Sequence, residues 1–132
     1  MSSESDLFEQ FYAAINRFDI DAAATYLAPD AIRVEPEGFP TAGTYRGIDA
    51  IKQHLLKGRG SWAEGACNPE GVFVNGDKVV VYLHAWVRVH NATEWSGGRF
   101  ADGFVVRDGL ICEYYSFGER EDACEWAGIS PS

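Results

Sequence analysis

The sequence has few basic residues and no long apolar run. Its 11 lysines and arginines are scattered among 20 aspartates and glutamates, and the formal net charge is −9. Nucleic acids and anionic membranes bind clustered positive charge, so the composition argues against both as partners. No apolar stretch reaches the roughly 20 residues of a membrane span, and the polar N-terminus lacks the pattern of a signal peptide. We therefore expect a cytoplasmic protein.

Cysteine and histidine are also scarce. Cys67, Cys112 and Cys124 are odd in number and widely spaced, which fits neither a disulfide framework nor a CxxC metal site, so we expect reduced thiols. His84 and His90 would lie roughly 20 Å apart on one strand, too far to chelate one ion. The sequence has no GxSxG elbow and no complete phosphate-binding glycine loop. We therefore expect no metal, no cofactor and no nucleophilic catalysis.

The chain does contain a helical N-terminal third followed by long strands. Helix one is predicted after Ser3 or Ser5, since apolar residues recur at helical spacing from Leu7 to Ile15. A second short helix is predicted from Asp19 to Leu27, a first strand from Ala31 to Glu35, and a third helix from about residue 47 to 60. From Trp62 onward the apolar period is two, and turn signals separate the strands in hairpin order. All 132 residues are predicted to form one α+β domain, with helices packed on a curved, mostly antiparallel sheet in the order α-α-β-α-β-β-β-β.

Four short segments occur in an order and at separations that a known superfamily shares. They are Asp19-Ile-Asp-Ala-Ala, Leu27-Ala-Pro-Asp-Ala-Ile, Tyr45-Arg-Gly-Ile-Asp-Ala-Ile and Asp108-Gly-Leu-Ile. With these segments the chain resembles the nuclear transport factor 2-like superfamily, in particular its SnoaL-like and ketosteroid isomerase-like branch. The resemblance covers nearly the whole chain. It implies a cystatin-like cone, closed by helices around an apolar pocket and commonly found in a homodimer.

The resemblance implies a first catalytic candidate at the end of the first strand. In ketosteroid isomerases the general base is a carboxylate directly before a proline there, and Glu35-Pro36 has that position. A carboxylate at a pocket wall is partly desolvated, which raises its pKa and lets it move a proton near neutral pH. The alternative is that Glu35, with Glu37 nearby, marks an exposed strand end, where Arg33, two residues back on the same face, holds it in an ordinary ion pair.

Two other positions depart from what the resemblance implies. At the place of the oxyanion-donating tyrosine on helix one stands Phe11, which cannot donate a hydrogen bond, with Tyr12 beside it. At the place of the aspartate that SnoaL-type cyclases and limonene epoxide hydrolases carry near the end of the last strand stands Ser116, which is neither an acid nor a base at pH 7. Tyr114 and Ser116 could bind a ligand carbonyl or hydroxyl, or lie at the rim of the sheet.

The position of Asp102 depends on the length of the last hairpin turn. A two-residue turn at Asp108-Gly109 puts Asp102 opposite Tyr115, whereas a three-residue loop with a glycine bulge puts it opposite Tyr114. One residue of register moves a side chain to the other face of a sheet. The alternative to a pocket position is therefore a solvated carboxylate on the outer face.

We prefer the three-residue loop, because the superfamily commonly carries a pocket-facing polar residue at this point. Asp102 is then the second candidate acid or base, and Phe100 is a candidate substrate-binding residue. Six side chains share the pocket face in this register: Phe100, Asp102, Phe104, Cys112, Tyr114 and Ser116.

The predicted strand from Lys78 to His90 has one apolar face and one aromatic and cationic face. We expect the apolar face under the helices, which leaves the other to contact a second subunit and predicts a homodimer through the outer sheet face. In the alternative, His84 and Trp86 line the pocket and bind substrate. Trp62 and Trp95 flank glycine-containing stretches and are candidates for the pocket mouth over an apolar ligand.

Two functions from different classes follow. The first is a cofactor-independent isomerase, cyclase or lyase acting on a hydrophobic carbonyl compound, in which Glu35 or Asp102 moves the proton. The side chains that would steady its oxyanion are Tyr12, Tyr114, Ser116 or His84. The second is a non-catalytic ligand-binding or dimerisation module. Two carboxylates that face one cavity favour the first function, and one that faces bulk water weighs against it.

Overall fold

The computed structural model describes residues 3–130, so the ends of the predicted domain, residues 1, 2, 131 and 132, lie outside the described residues. Within the described range the chain forms four helices and six strands. They are α1 (Ser3–Asn16), α2 (Ile20–Ala24), β1 (Leu27–Glu35), β2 (Gly43–Arg46), α3 (Ile48–Gly60), β3 (Trp62–Asn75), β4 (Lys78–Val89), β5 (Ser96–Arg107), β6 (Leu110–Phe117) and α4 (Arg120–Ala127).

All six strands form one sheet in the order β2-β1-β6-β5-β4-β3. Each neighbouring pair is antiparallel except β1 and β6, which run parallel. The predicted α+β class and mostly antiparallel sheet are confirmed. None of the helices between residues 3 and 130 has the length and apolar content needed to cross a membrane.

The start of β1 differs from the sequence-based expectation. The Asp19 side chain caps α2 as predicted, by accepting a hydrogen bond from the Ala22 amide, but the helix ends at Ala24. β1 then begins at Leu27, which was expected to close the helix. A register shift between Leu27 and Ile32 interrupts its pairing with β6 around Pro29, whose nitrogen has no hydrogen to donate to a ladder.

The main core lies between α1 and the concave face of the sheet. Phe8 and Phe11 recur at helical spacing on α1 and are fully buried. The ring centroid of Phe8 lies 4.3 Å from that of Phe104 on β5. Val81 and Leu83, from the apolar face of β4, are fully buried in the same core. The predicted orientation of β4 is therefore confirmed.

A smaller core lies on the outer face, where α4 packs against β4 and β5. Its buried members are Val80, Ala101, Ala123, Cys124 and Ala127. A Cβ atom on Gly103 would lie 2.7 Å from the Trp126 ring, so the absence of a side chain there lets α4 approach the sheet. The remainder of this face is uncovered, and the side chain of Trp86 is 50% exposed.

The β5–β6 hairpin has a two-residue turn, so the preferred three-residue loop was wrong. Both residues of Asp108-Gly109 have positive φ, 55° and 76°, as a tight hairpin turn requires. Cys112 is then the extra residue of a β-bulge, and Asp102 lies opposite Ser116 instead of either tyrosine. Because the bulge shifts the pairing by one residue, the Asp102 side chain points to the same face of the sheet that the three-residue loop predicted.

Candidate functional site

A cavity of about 730 Å³ lies between the concave face of the sheet, α1 and α3. This volume falls within the roughly 300–1,000 Å³ that small-molecule sites occupy. The loop that follows β1 closes one side with Phe39, Pro40 and Thr41. Polar side chains from α1, β1, α3, β5 and β6 converge inside it.

The cavity brings together seven of the predicted site residues: Tyr12, Glu35, Trp62, Phe100, Asp102, Tyr114 and Ser116. Both candidate carboxyl groups are among them, and neither faces bulk water, since Asp102 is 2% exposed and the Glu35 side chain 11% exposed. Their functional roles stay predictions. Four other residues predicted to bind the ligand lie elsewhere: Phe11, His84, Trp86 and Trp95.

Phe11, His84 and Trp86 do not line the cavity. Phe11 is a fully buried core residue, because one step along a helix turns the side chain by about 100° and so gives the cavity position to Tyr12. On β4 the cavity residue is Ala85, and its neighbours point to the opposite face of the sheet. The alternative that placed His84 and Trp86 in the pocket is therefore wrong.

Asp102 occupies one end of a buried hydrogen-bond chain. The Tyr12 hydroxyl donates to Asp102 Oδ2 over 2.5 Å, and the Ser116 hydroxyl donates to Oδ1 over 2.7 Å. Burial raises the pKa of Asp102 above its ordinary value, and the opposing effects of the Arg33 charge and the two hydrogen bonds do not cancel that rise. Burial, then the charge of Asp102, raises the pKa of Tyr12 far enough to keep its hydroxyl protonated.

Glu35 occupies the other end and has three partners. Arg33 Nη2 lies 3.2 Å from Glu35 Oε2, the Thr41 hydroxyl donates to Oε1, and His54 Nε2 lies 3.3 Å from Oε1. Burial alone would raise the pKa of Glu35, but the hydrogen bonds with His54 and Thr41 and the charge of Arg33 hold the pKa below its ordinary value. The ion pair with Arg33 is thus present, and it lies inside the cavity rather than at an exposed strand end.

Arg33 and Ser116 join the two ends. Arg33 Nη2 donates a hydrogen bond to Ser116 Oγ over 2.8 Å as well as to Glu35, and the Ser116 hydroxyl donates one to Asp102. The guanidinium lies 3.8 Å from the centre of the Tyr114 ring, which fixes its plane. Ser116, which stands where the resemblance implies an aspartate, therefore connects a cation to a carboxyl group.

His54 is a site residue that sequence reasoning missed. It is 6% exposed, and its ring centroid lies 4.1 Å from that of Tyr45. Thr41 gives its only hydroxyl hydrogen to Glu35, so both oxygens that face His54 Nε2 can only accept. The imidazole hydrogen is therefore on Nε2. The available signal was helical spacing, because His54 lies three residues after the buried Ile51 on α3.

The Cys67 thiol also lines the cavity. Burial, then the charge of Asp102, raises the pKa of the Cys67 thiol, which keeps it protonated. In the part of the chain that the structure describes, no three or more histidine, cysteine, aspartate or glutamate side chains are grouped so as to hold a metal ion.

Residues 8–114 match the family model of the SnoaL-like domain. The chain belongs to this family. The predicted superfamily, and with it the SnoaL-like resemblance, is confirmed. Among curated protein sequences, none matches this SnoaL-like chain.

Solved structures agree with this family over almost the whole chain. An NTF2-like protein of unknown function from Burkholderia pseudomallei is 20% identical, with a TM-score of 0.79 over 96% of this chain and 98% of that one. TerC, crystallised with polyporic acid, is 23% identical, with a TM-score of 0.78 over 96% and 99%. A proposed polyketide cyclase from Sinorhizobium meliloti is 24% identical, with a TM-score of 0.69 over 88% and 99%. At these identities the likeness shows the fold alone.

Proposed function

We propose that this SnoaL-like protein is a cofactor-independent isomerase, cyclase or lyase that moves a proton on a hydrophobic carbonyl compound. One observation carries the proposal: Asp102 and Glu35 line the same cavity, are joined through Arg33 and Ser116, and have pKa values shifted in opposite directions. Two carboxyl groups whose environments separate their pKa values are suited to act as an acid and a base.

The charges of the cavity support this division of roles. Arg33 is one cation beside two carboxyl groups, and a net buried charge is costly. A protonated Asp102 and an ionised Glu35 give a set with no net charge. We therefore assign Asp102 as the acid and Glu35 as the base.

The proposed reaction begins at Glu35. The Glu35 carboxylate accepts a proton from the carbon beside the substrate carbonyl, and the electron pair of the broken C–H bond moves toward the carbonyl oxygen. Protonated Asp102 can donate to Tyr12 Oη, which frees the Tyr12 hydroxyl hydrogen to point into the cavity and bind that oxygen. Returning the proton to another carbon completes an isomerisation.

Two of the structural relatives fit this substrate class. One was crystallised with polyporic acid, and another is a proposed polyketide cyclase. Both support a small organic molecule as the occupant of the cavity.

One observation favours the second function, a ligand-binding or dimerisation module. The three partners of Glu35 fix its carboxylate and lower its pKa, which makes it a weaker base. The outer face of β4, where Trp86 is 50% exposed, supports a homodimer in either case. Native mass spectrometry tests the dimer.

A test of the enzyme uses hydrogen exchange. Wild-type protein is incubated in D₂O with a panel of apolar cyclic ketones, and deuterium uptake beside the carbonyl is followed by NMR. We expect catalysed uptake with at least one ketone, reduced about 100-fold in Glu35→Gln and at least tenfold in Asp102→Asn.

Matched controls remove carboxylates outside the cavity. Glu64→Gln and Asp77→Asn break the exposed ion pairs with Arg88 and Arg107 and should leave uptake unchanged. No catalysed uptake with any ketone, or equal rates in the cavity variants and controls, would favour the binding module.

A further inference from the structure

The last residue of α1 is bound to the edge of the sheet through its side chain. β3 is an edge strand, and the backbone N–H and C=O of Cys67 point to its open side. Asn16 binds both groups: its Oδ1 accepts from Cys67 N over 2.8 Å, and its Nδ2 donates to Cys67 O over 2.9 Å. The same Nδ2 also donates to Asn68 Oδ1 over 3.2 Å. The Asn16 amide therefore pairs with β3 as a neighbouring strand would.

Asn16 and Tyr12 lie on the same face of α1. Residues four positions apart are neighbours on a helix surface, so a contact that fixes one of them also limits the direction of the other. Among residues 3–130, the side chains from Leu7 to Asn16 form hydrogen bonds with the sheet at these two positions only. Tyr12 binds Asp102 on β5, and Asn16 binds β3, so α1 is held at two points.

The apolar contacts of α1 restrict its rotation less closely. The ring centroids of Phe8 and Phe11 lie 4.3 and 6.1 Å from that of Phe104. Apolar contact has no preferred direction, and a core accepts small rearrangements of its side chains. A hydrogen bond weakens steeply when its angle or length changes. The contact between Tyr12 and Asp102 therefore needs a more exact helix orientation than the core alone provides.

Arg59 on α3 holds the same helix end in a different direction. Its Nε donates to Ile15 O and its Nη2 to Asn16 O, each over 2.9 Å. Backbone carbonyl groups of a helix lie nearly parallel to its axis, so these two hydrogen bonds limit movement along the axis. The Asn16 side chain projects from the side of the helix, so its contact with Cys67 limits rotation about the axis.

We propose that Asn16 is a positioning residue: by binding the edge of β3 at Cys67, it fixes the rotation of α1 that brings the Tyr12 hydroxyl to Asp102. The catalytic consequence rests on the proposed function, in which Tyr12 binds the carbonyl oxygen of the substrate. The anchor itself can be tested without a substrate, through the ionisation of Asp102.

Asn16→Ala removes the anchor and keeps Tyr12. The Tyr12 hydroxyl should then bind Asp102 less well, so its carboxylate loses part of its stabilisation. We expect ¹³C NMR of the carboxyl carbons to show a pKa of Asp102 above the wild-type value. Ketone exchange should fall about tenfold, since misplacing a group by about 1 Å can cost about 100-fold. Asn16→Leu, which nearly keeps the volume and also lacks the amide, is a second variant with the same expected result.

Asn75 offers a matched control, because it binds another helix to the same strand. Its Nδ2 donates to Ala127 O over 2.8 Å, at the end of α4 on the outer face. Asn75→Ala should lower the urea midpoint of unfolding as Asn16→Ala does, and leave the titration of Asp102 and ketone exchange unchanged. Equal shifts in the pKa of Asp102 in both variants would indicate general loosening of the fold and overturn the proposal.

A double-mutant cycle tests whether Asn16 acts through Tyr12. Tyr12→Phe has no hydroxyl to position, so adding Asn16→Ala should change neither the pKa of Asp102 nor the exchange rate any further. Asn75→Ala in the same background checks that the double variants remain folded. If the effects of Asn16→Ala and Tyr12→Phe on the pKa of Asp102 simply add, Asn16 does not act through Tyr12 and the proposal is wrong.

The outcomes separate this inference from the proposed function. Suppose that no ketone exchanges in wild type, while Asn16→Ala shifts the pKa of Asp102 and Tyr12→Phe abolishes that shift: only the catalytic function is then contradicted. If ketones do exchange, but Asn16→Ala changes neither the rate nor the pKa of Asp102, only the positioning role is contradicted.

Discussion

Tyr12 and Asp102, which are 90 residues apart in the sequence, share a buried hydrogen bond of 2.5 Å. This contact connects α1 to β5 inside the cavity. It gives the Asp102 carboxyl group one of its two hydrogen-bond donors, the other being Ser116. The ring of Tyr12 is also part of the main core, so its hydroxyl and its ring have separate effects.

Tyr12→Phe removes that hydrogen bond and keeps the ring. We expect the free energy of unfolding to fall by about 1–2 kcal/mol, because a buried acceptor loses its donor. The pKa of Asp102 should rise further, since one group that stabilises the carboxylate is lost. Urea unfolding and ¹³C NMR of the carboxyl carbons measure the two effects. Tyr26→Phe, a change beside the same Phe11 ring but outside the cavity, should alter neither.

Asp102→Asn should change how stability depends on pH. Because the folded-state pKa of Asp102 is raised, the folded protein holds this proton more tightly than the unfolded chain does. In the wild type, protonated Asp102 contributes stability that is fully present below its unfolded pKa of about 3.9. This contribution is lost as the pH rises through the folded-state pKa. The asparagine variant should lack that loss. Urea unfolding between pH 4 and 8 tests this, and parallel curves for the two proteins would contradict it.

His54→Phe should raise the pKa of Glu35. The change removes the Nε2 hydrogen that faces the carboxylate and keeps a ring to stack on Tyr45. Since the lowered pKa of Glu35 depends partly on that hydrogen bond, NMR titration should show it nearer its ordinary value. The stability that ionised Glu35 contributes, present above its unfolded pKa and lost as pH falls through the folded one, should shrink correspondingly.

A control keeps this result specific. His84→Phe makes the same change on the outer face of β4, outside the cavity, and should leave the titration of Glu35 as it is in wild type. An unchanged pKa in His54→Phe would mean that Arg33 and Thr41 alone determine the ionisation of Glu35.

Local sequence patterns predicted those parts of the site that depend on one element. The alternation of β4 predicted its buried face, and Pro36 ended the predicted first strand at Glu35, whereas the site role of Glu35 came from the family resemblance. The first follows from the two-residue period of a strand, and the second from proline, which cannot donate a hydrogen bond to a sheet. Contacts between distant segments were beyond such patterns.

Three features of the site show why. The bulge at Cys112 separates the buried Ile111 and Tyr114 by three positions, and the residue types of β6 do not alternate strictly enough to reveal it. Phe11 and Tyr12 are adjacent aromatic residues, and only the packing of α1 decides which one faces the cavity. Thr41 reaches Glu35 and His54 from an irregular loop, whose path no hydrophobic period specifies.

Gly103→Ala should weaken the packing of α4 on the outer face. The added methyl group would lie 2.7 Å from the Trp126 ring and 2.9 Å from the Phe117 ring, so the helix or both rings must move. We expect the free energy of unfolding to fall by about 1–3 kcal/mol. In Gly118→Ala the new Cβ has no heavy atom within 4 Å, so the change should stay within about 0.5 kcal/mol. Because Gly103 lies next to Asp102 on β5, ligand affinity measured on both variants then shows whether the position of α4 affects the cavity: a loss in Gly103→Ala alone means that it does.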